Sequence, residues 1–382
     1  MQIPAFQLLA LIPAVATAVS IGYCVLGIVA GMKFASLRAA EMPFAENLPR
    51  VSILKPLKGT DPEMYRALRS HCLQDYPEYE ILCGVTDAND PAVPIVGRVI
   101  AEFPQKSIRM VLCEKRLGAN GKVSSLIQLV GVASAEYLLV NDSDISVEPE
   151  YLRTVISELQ QPNTGMVTCL YRAVASGTIG SRLEALGIST DFMPGVLAAN
   201  AIERGLHFGL GSTLALRKSD LVAIGGFEAI VDHLADDYEL GQRISQRKRV
   251  RLSRTVVETH LAAYDLKGFV AHQLRWARTI RASRPAGYAG MLFTFTLPWA
   301  VTALLASRRM GWLLFGLALL SRSALAYVGS RLVLREKQQA SLLLLPLRDL
   351  VAMAVWVGGW FGNSIVWRGE RFVLKDGRLV PR

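Results

Sequence analysis

Tyr137-Leu138-Leu139-Val140-Asn141-Asp142-Ser143-Asp144 is the stretch on which the reading of the chain turns. A short apolar run reads as a buried strand, and it stops at two carboxylates two positions apart. Carboxylates in an extended turn offer the hard oxygens that hold Mg2+ or Mn2+ against a diphosphate. The same residues also serve as Asx-type caps of a turn, so their surroundings must decide between the two uses. Upstream, the pattern alternates. Val51-Ser52-Ile53-Leu54 reads as a strand, Pro62 to Cys72 as a helix entered at Asp61, Tyr79 to Val85 as a strand and Pro91 to Glu102 as a helix. Ile108 to Cys113 is a further strand and Gly121 to Ser134 a further helix. This order predicts an α/β domain around a mostly parallel sheet. Ligands of such sheets bind beyond the carboxyl ends of the strands. Asp87 and Asp90 lie there after the second strand, and Asp142 and Asp144 after the fourth. No glycine fingerprint follows the first strand and no Walker A sequence occurs, which weighs against the dinucleotide and P-loop classes.

Downstream, Asp236-Asp237-Tyr238-Glu239-Leu240-Gly241 opens a helix. Acidic residues at a helix N-terminus suit the macrodipole, and one of them also suits a general base if an acceptor hydroxyl comes within hydrogen-bond reach. His272-Gln273-Leu274-Arg275-Trp276-Ala277-Arg278 follows, with Arg275, Arg278 and Arg281 recurring every three residues. Such a stripe meets anionic lipid head groups or holds a diphosphate by multidentate hydrogen bonds.

Around this domain the chain is oily. Of its 382 residues 51% are hydrophobic, and 42 Lys+Arg against 32 Asp+Glu give a net charge of +10. That excludes a purely soluble or disordered chain, and the charge fits a membrane surface or a phosphate-bearing substrate as well as it fits nucleic acid. The five cysteines form no CxxC pair or Cys/His cluster, so neither zinc nor a disulfide framework is indicated and a reducing compartment is expected. Ala5 to Gly31 is uncharged and longer than the roughly 20 residues that cross a bilayer. Lys33 and Arg38 follow it, which by the positive-inside rule places the central domain in the cytoplasm. Tyr288 to Ala306, Gly311 to Gly329 and Ser341 to Trp367 are further apolar stretches. The second carries Arg322 and the third Arg348 and Asp349, charges that must pair, face a cavity or sit near an interface. The expected division is therefore a transmembrane helix in 1–35, a catalytic domain in 50–285, two to three transmembrane or re-entrant helices in 286–367 and a basic tail in 368–382. Within the tail, Phe372 to Val380 reads as a hairpin with a type I′ turn at Asp376-Gly377. Asp191-Phe192-Met193-Pro194-Gly195-Val196-Leu197 and Gly205 to Gly211 read either as an interfacial acceptor groove or as core packing.

Together these motifs resemble a known family. Lys55-Pro56-Leu57-Lys58-Gly59, Asp87-Ala88-Asn89-Asp90-Pro91-Ala92, Asp142-Ser143-Asp144, Gly225-Gly226-Phe227, Asp236-Asp237-Tyr238 and Arg275-Trp276 occur in the order of family 2-like inverting glycosyltransferases. More narrowly the chain is similar to the ceramide glucosyltransferase family (family 21), and within it to the bacterial hopanoid-biosynthesis branch, which adds N-acetylglucosamine to bacteriohopanetetrol. The resemblance implies a GT-A, Rossmann-like domain anchored in the bacterial inner membrane. It implies a UDP-sugar donor, a membrane-lipid acceptor, Mg2+ or Mn2+, and no nucleic acid. It puts Lys55, Pro56, Lys122, Asp142 and Asp90, with Asp87 as its alternative, at the UDP-sugar. Asp142 and Asp144 match the metal motif, Asp237 or its neighbour Asp236 the base, and Arg275 and Trp276 the final motif. His272 stands where relatives carry Gln or Arg, and a neutral imidazole replaces one hydrogen-bond donor but not a permanent cation.

Overall fold

The computed structural model describes residues 5–40, 44–336, 342–367 and 369–381. The chain divides into two units, each made of three segments. A sheet unit comprises Ala40–Val174, Ile202–Ala262 and Trp367–Arg382, and a helical unit comprises Met1–Ala39, Ala175–Ala201 and Ala263–Val366. The boundaries differ from a continuous 50–285 domain, because Ala175–Ala201 and the residues from Ala263 group with the N-terminal helix.

In the sheet unit the strands are β1 (Val51–Pro56), β2 (Tyr79–Val85), β3 (Ser107–Leu112), β4 (Tyr137–Val140), β5 (Ile145–Ser146), β6 (Thr164–Val174), β7 (Leu214–Arg217) and β8 (Arg249–His260). Their order is β3-β2-β1-β4-β7-β6-β8-β5. From β3 to β4 every pair is parallel, as the alternating pattern predicts. Beyond β4, β6 and β8 still pair in parallel, but antiparallel neighbours enter. β7 runs antiparallel to both β4 and β6, and β5 antiparallel to β8, so the sheet is mixed. Parallel neighbours need a long crossover, which helices supply up to β4; β7 is a short apolar strand, and an apolar run carries no sign of its direction. Ile53, Leu139, Val167, Ala215 and Val257, one from each of five strands, are fully or almost fully buried in one core cluster with Leu152, Val155 and Leu159 of helix Tyr151–Leu159.

The registers bring the ends of β1 and β4 together, with Leu54 opposite Val140. The first turn of helix Gly121–Val132 is fixed by Asn120, whose side chain accepts from the Val123 N–H at 3.2 Å and donates to the His233 carbonyl at 2.7 Å. Glu370–Lys375 and Arg378–Pro381 form the expected hairpin, with positive φ at both Asp376 (50°) and Gly377 (76°), as a type I′ turn requires.

Among the described residues of the helical unit, four helices are long and apolar enough to cross a membrane, or five if one bent pair counts as a span. Helix Ala5–Ala39 carries the expected first stretch. Tyr288 to Ala306 is not a straight span: helix Pro285–Gly290 and a 3-10 turn at Met291–Thr294 meet helix Thr296–Ala306 at 53°. Pro298 explains the restart, since proline is tolerated in a first helical turn and not further in. The Trp299 indole donates to the Leu292 carbonyl at 2.8 Å and satisfies one acceptor freed at the bend. Gly311 to Gly329 lies in helix Arg308–Tyr327 and the π-helical turn Val328–Val333. Of Ser341 to Trp367, Ser341 lies outside the described residues, helix Leu345–Gly359 is shorter than expected, and Ser364–Trp367 is a strand. Ile179–Ile202, read from sequence as part of the central domain, is a further candidate span of 24 residues broken by a π-helical turn at Ile188–Phe192. Its Asp191 answers the question of the intramembrane charges. Arg322 pairs with Asp191 and, at 2.7 Å, with Asp349, while Arg348 pairs with the second oxygen of Asp191 at 2.9 Å. Two cations meet two anions, and the Arg348 guanidinium also donates to the Gln273 amide oxygen at 3.2 Å.

Candidate active site

Lys122, in the first turn of its helix, is poorly placed for the helix dipole and well placed for carboxylates. Its ammonium lies 2.8 Å from Asp142 Oδ1 and 3.1 Å from Asp236 Oδ2. Burial alone would lower it, but Asp142, Asp236 and Asp237 outweigh burial and hold it protonated above the ordinary lysine range. Asp142 follows β4, and Asp236 and Asp237 open helix Asp236–Ser245, so residues far apart in sequence meet in one cluster.

The two adjacent aspartates differ. Asp236 has the ammonium of Lys122, whereas Asp237 accepts through Oδ2 from the Gly211 N–H at 2.8 Å and through Oδ1 from its neighbour Tyr238 N–H at 2.8 Å. Burial, and then the negative charge of Asp236, pushes the Asp237 carboxyl up to about 6. Burial also raises Asp236, with Lys122 opposing it. Gly211 sits at the centre of the group: a Cβ there would lie 3.0 Å from Asp142 Oδ2 and 3.4 Å from Asp237 Oδ2. Within Gly205 to Gly211, Gly209 donates to the Asp237 carbonyl at 3.1 Å, so this glycine-rich segment backs the acidic turn. That contact was not legible beforehand, because glycine richness says nothing about its neighbour.

Asp144 lies with its carboxylate on the Thr259 hydroxyl of β8. Burial, followed by the charge of Asp142, pushes its carboxyl up to about 6. Two hard carboxylates at the end of β4 suit a divalent cation whose remaining positions a diphosphate would fill. Among the described residues no three His, Cys, Asp or Glu gather as a metal site.

Other expected residues act at one remove. Lys55 is fully buried, its ammonium donates to the Asp142 carbonyl at 3.1 Å, and burial lowers it to about 7. Pro56 ends β1 opposite Gly84. Asp90 accepts from Gly59 N–H at 2.9 Å and Ala92 N–H at 2.8 Å, tying the loop after β1 to helix Ala92–Glu102. Asp87 accepts from Asn89 N–H at 2.8 Å, the turn-capping use of such a residue. Beneath Asp142 the sequence reading missed a buried network: the Asn141 amide donates to Tyr151 Oη at 2.8 Å and to the Ser212 carbonyl at 2.6 Å, and its oxygen lies 3.1 Å from His71 Nε2. A buried asparagine next to the acidic pair was the available signal.

His272, Arg275 and Trp276 belong to the helical unit, on helix Leu266–Ser283. His272 stacks on Tyr264 at 5.2 Å, lies 5.3 Å from Trp276, and has Nδ1 3.2 Å from Glu184. Trp276 also meets Phe192 at 6.5 Å. Two members of the arginine stripe hold backbone: Arg278 donates to the carbonyls of Ser364 and Phe361, and Arg281 to those of Trp360 and Gly362.

Known proteins share this architecture. Ceramide glucosyltransferase 3 of Caenorhabditis elegans is 22% identical over 352 residues, 88% of this chain and 75% of that one. The ceramide glucosyltransferase of Komagataella phaffii is 31% identical over 110 residues, 28% of this chain and 22% of that one. A mannosyltransferase from Pyrobaculum calidifontis, solved in complex with GDP-Man and Mn2+, is similar at a TM-score of 0.51 and 18% identity over 91% of this chain and 99% of that chain, which shows a GT-A-like fold. The sequence profile of Glycosyl transferase family 21 matches residues 12–380, and the chain belongs to that family.

Proposed function

We propose that the chain is a membrane-bound inverting glycosyltransferase that moves a sugar from a UDP-sugar to a hydroxyl of a membrane lipid. The observation that carries this reading is the unequal environment of the paired aspartates: Asp236 shares the ammonium of Lys122 with Asp142, whereas Asp237 has backbone donors and a carboxyl raised to about 6. A carboxylate of that kind is a fitting general base near neutral pH. Asp237 takes the proton of the acceptor hydroxyl as its oxygen attacks the anomeric carbon. The bond from that carbon to the diphosphate breaks with its electron pair leaving on the diphosphate, and a UDP-α-sugar gives a β-linked glycolipid. Lys122 keeps Asp142 and Asp236 together. Mg2+ or Mn2+, when bound, would be held by Asp142 and Asp144 and would stabilise the charge of the leaving diphosphate. His272, Arg275 and Trp276 remain candidates for the diphosphate, and Lys55, Pro56, Asp87 and Asp90 for shaping the nucleotide side.

N-acetylglucosamine as the sugar, bacteriohopanetetrol as the acceptor and a bacterial inner membrane are supported by the motif His272 to Arg278, and a cytoplasmic-facing domain by Lys33 and Arg38. A second reading, glucose onto ceramide, is favoured by what the Caenorhabditis and Komagataella relatives are named. Detergent-purified protein given UDP-N-acetylglucosamine or UDP-glucose, with bacteriohopanetetrol or ceramide, distinguishes them by product mass. A hexosamine-bearing hopanoid is the expected product, a hexosyl ceramide selects the second reading, and no product from any pair overturns both.

A further inference from the structure

Val231-Asp232-His233-Leu234-Ala235 leads directly into Asp236, and its backbone is gripped from two sides within the sheet unit. On one side the loop before Lys122 holds it: Asn120 N–H donates to the Val231 carbonyl at 2.8 Å, Ala119 N–H to Asp232 Oδ1 at 2.9 Å, and the Asn120 amide to the His233 carbonyl at 2.7 Å. On the other side stands the hairpin Glu370–Pro381. Leu379 N–H donates to the Asp232 carbonyl at 2.7 Å, Leu234 N–H donates to the Gly377 carbonyl at 3.2 Å, and His233 bridges Arg378 in antiparallel fashion. The hairpin thus adds its edge to the segment that sets the register of Asp236 and Asp237. Its first residue reaches elsewhere. Glu370 pairs with Arg116 at 2.7 Å, in the loop before Lys122, and with Lys58 at 3.6 Å, in the loop after β1.

Resting on the reading of Asp237 as the base, we propose that the hairpin Glu370–Pro381 is a positioning element of the donor site. Its backbone sets the acidic turn, and Glu370 sets the two basic loops on the nucleotide side. The first grip consists of buried-edge hydrogen bonds next to the reacting group, where small displacements cost heavily in rate. The second is a pair of exposed ion contacts and is correspondingly weak. The two grips therefore have separable effects, the first on turnover and the second on donor recognition.

Two variants of the full chain in detergent separate them. Leu379→Pro removes one N–H and keeps Glu370; Glu370→Gln removes the charge and keeps the backbone pairing. Each is followed by hydrogen exchange over 231–236, by UDP titration calorimetry, and by transfer with the donor and acceptor pair that yields product. Leu379→Pro is expected to speed exchange over 232–236 at least tenfold while β1 stays protected, and to lower kcat at least tenfold with donor KM within twofold. Glu370→Gln is expected to raise donor KM and UDP Kd two- to fivefold with kcat unchanged. Unaltered exchange in Leu379→Pro, or faster exchange with full kcat, overturns the role of the backbone grip; unaltered donor KM and UDP Kd in Glu370→Gln overturn that of the ionic one. If Leu379→Pro also exposes β1, Gly377→Ala, which strains a turn residue at φ 76° and keeps every N–H, is judged by the same outcomes. Wild-type turnover in Asp237→Asn would refute the base assignment alone, because exchange over 231–236 reports on the hairpin whatever the base is.

Discussion

Asp236 and Asp237 differ by one position and by everything around them. Sequence leaves open which of them takes the acceptor proton, because both stand at the same helix start; the partners that separate them, Lys122 and Gly211, come from elsewhere in the chain. Asp237→Asn keeps the size, retains through its one amide oxygen only one of the two backbone hydrogen bonds, and removes the base, so transfer should fall by about 10²- to 10⁴-fold with UDP-sugar affinity retained. The pH profile follows from the same group. A carboxyl raised to about 6 is a base above that pH and a neutral acid below it, so the wild-type rate should climb as pH passes upward through about 6 and then level off. Rates measured from pH 5 to 8 check this, and a wild-type profile flat across that range would contradict it. For Asp144→Ala, calorimetry with and without chelator should show that nucleotide binding has lost its metal dependence. Equal metal dependence in variant and wild type would move the cation to other ligands.

At the scale of elements, the first half of the sheet was legible and the second was not. β1 to β4 announce themselves through apolar runs separated by helices of normal length, and the chain between them supplies the long helical crossovers that parallel strands require. β6 and β8 mix arginines and threonines with their apolar residues, and β7 is four residues long, so periodicity had little to act on. Helix ends carried mixed signals: the helix expected to enter at Asp61 begins at Met64, after Glu63 at φ 54° and with no side-chain cap. Asn120 is a polar residue just before an apolar helix, and its buried side chain serves both as acceptor for Val123 and as donor to His233. Asn120→Ala removes a cap and leaves a buried carbonyl unsatisfied, which should cost about 2 kcal/mol of stability. Thermal unfolding of the purified protein would show this as a lowered midpoint, and an unchanged midpoint would mean that the cap is dispensable.

For the whole molecule, the oil at both ends of the sequence pointed to membrane helices, but charges within them obscured their number. Arg182, Glu184 and Asp191 made Ile179–Ile202 read as part of a water-soluble domain, whereas Asp191 is the partner that lets Arg322 and Arg348 lie among apolar helices. Removing one member of such a network strands another. Arg322→Leu leaves Asp349, with 2% of its side chain exposed, without its cation, and should destabilise the protein by about 3–5 kcal/mol. Arg322→Leu combined with Asp349→Leu should recover much of that loss. Unfolding in detergent would test both, and a single variant as stable as the wild type would reduce the network to decoration.

The interleaving of the two units also sets an order of events during synthesis. Helix Ala5–Ala39 emerges first, then β4 and Asp142, then the apolar pair Ile179–Ile202, and only afterwards Asp236, Asp237 and β8. No nascent chain can therefore hold both halves of its carboxylate cluster before it has made Ala5–Ala39 and Ile179–Ile202. Two segments long and apolar enough to cross a membrane are thus translated ahead of the acidic turn that completes the candidate site.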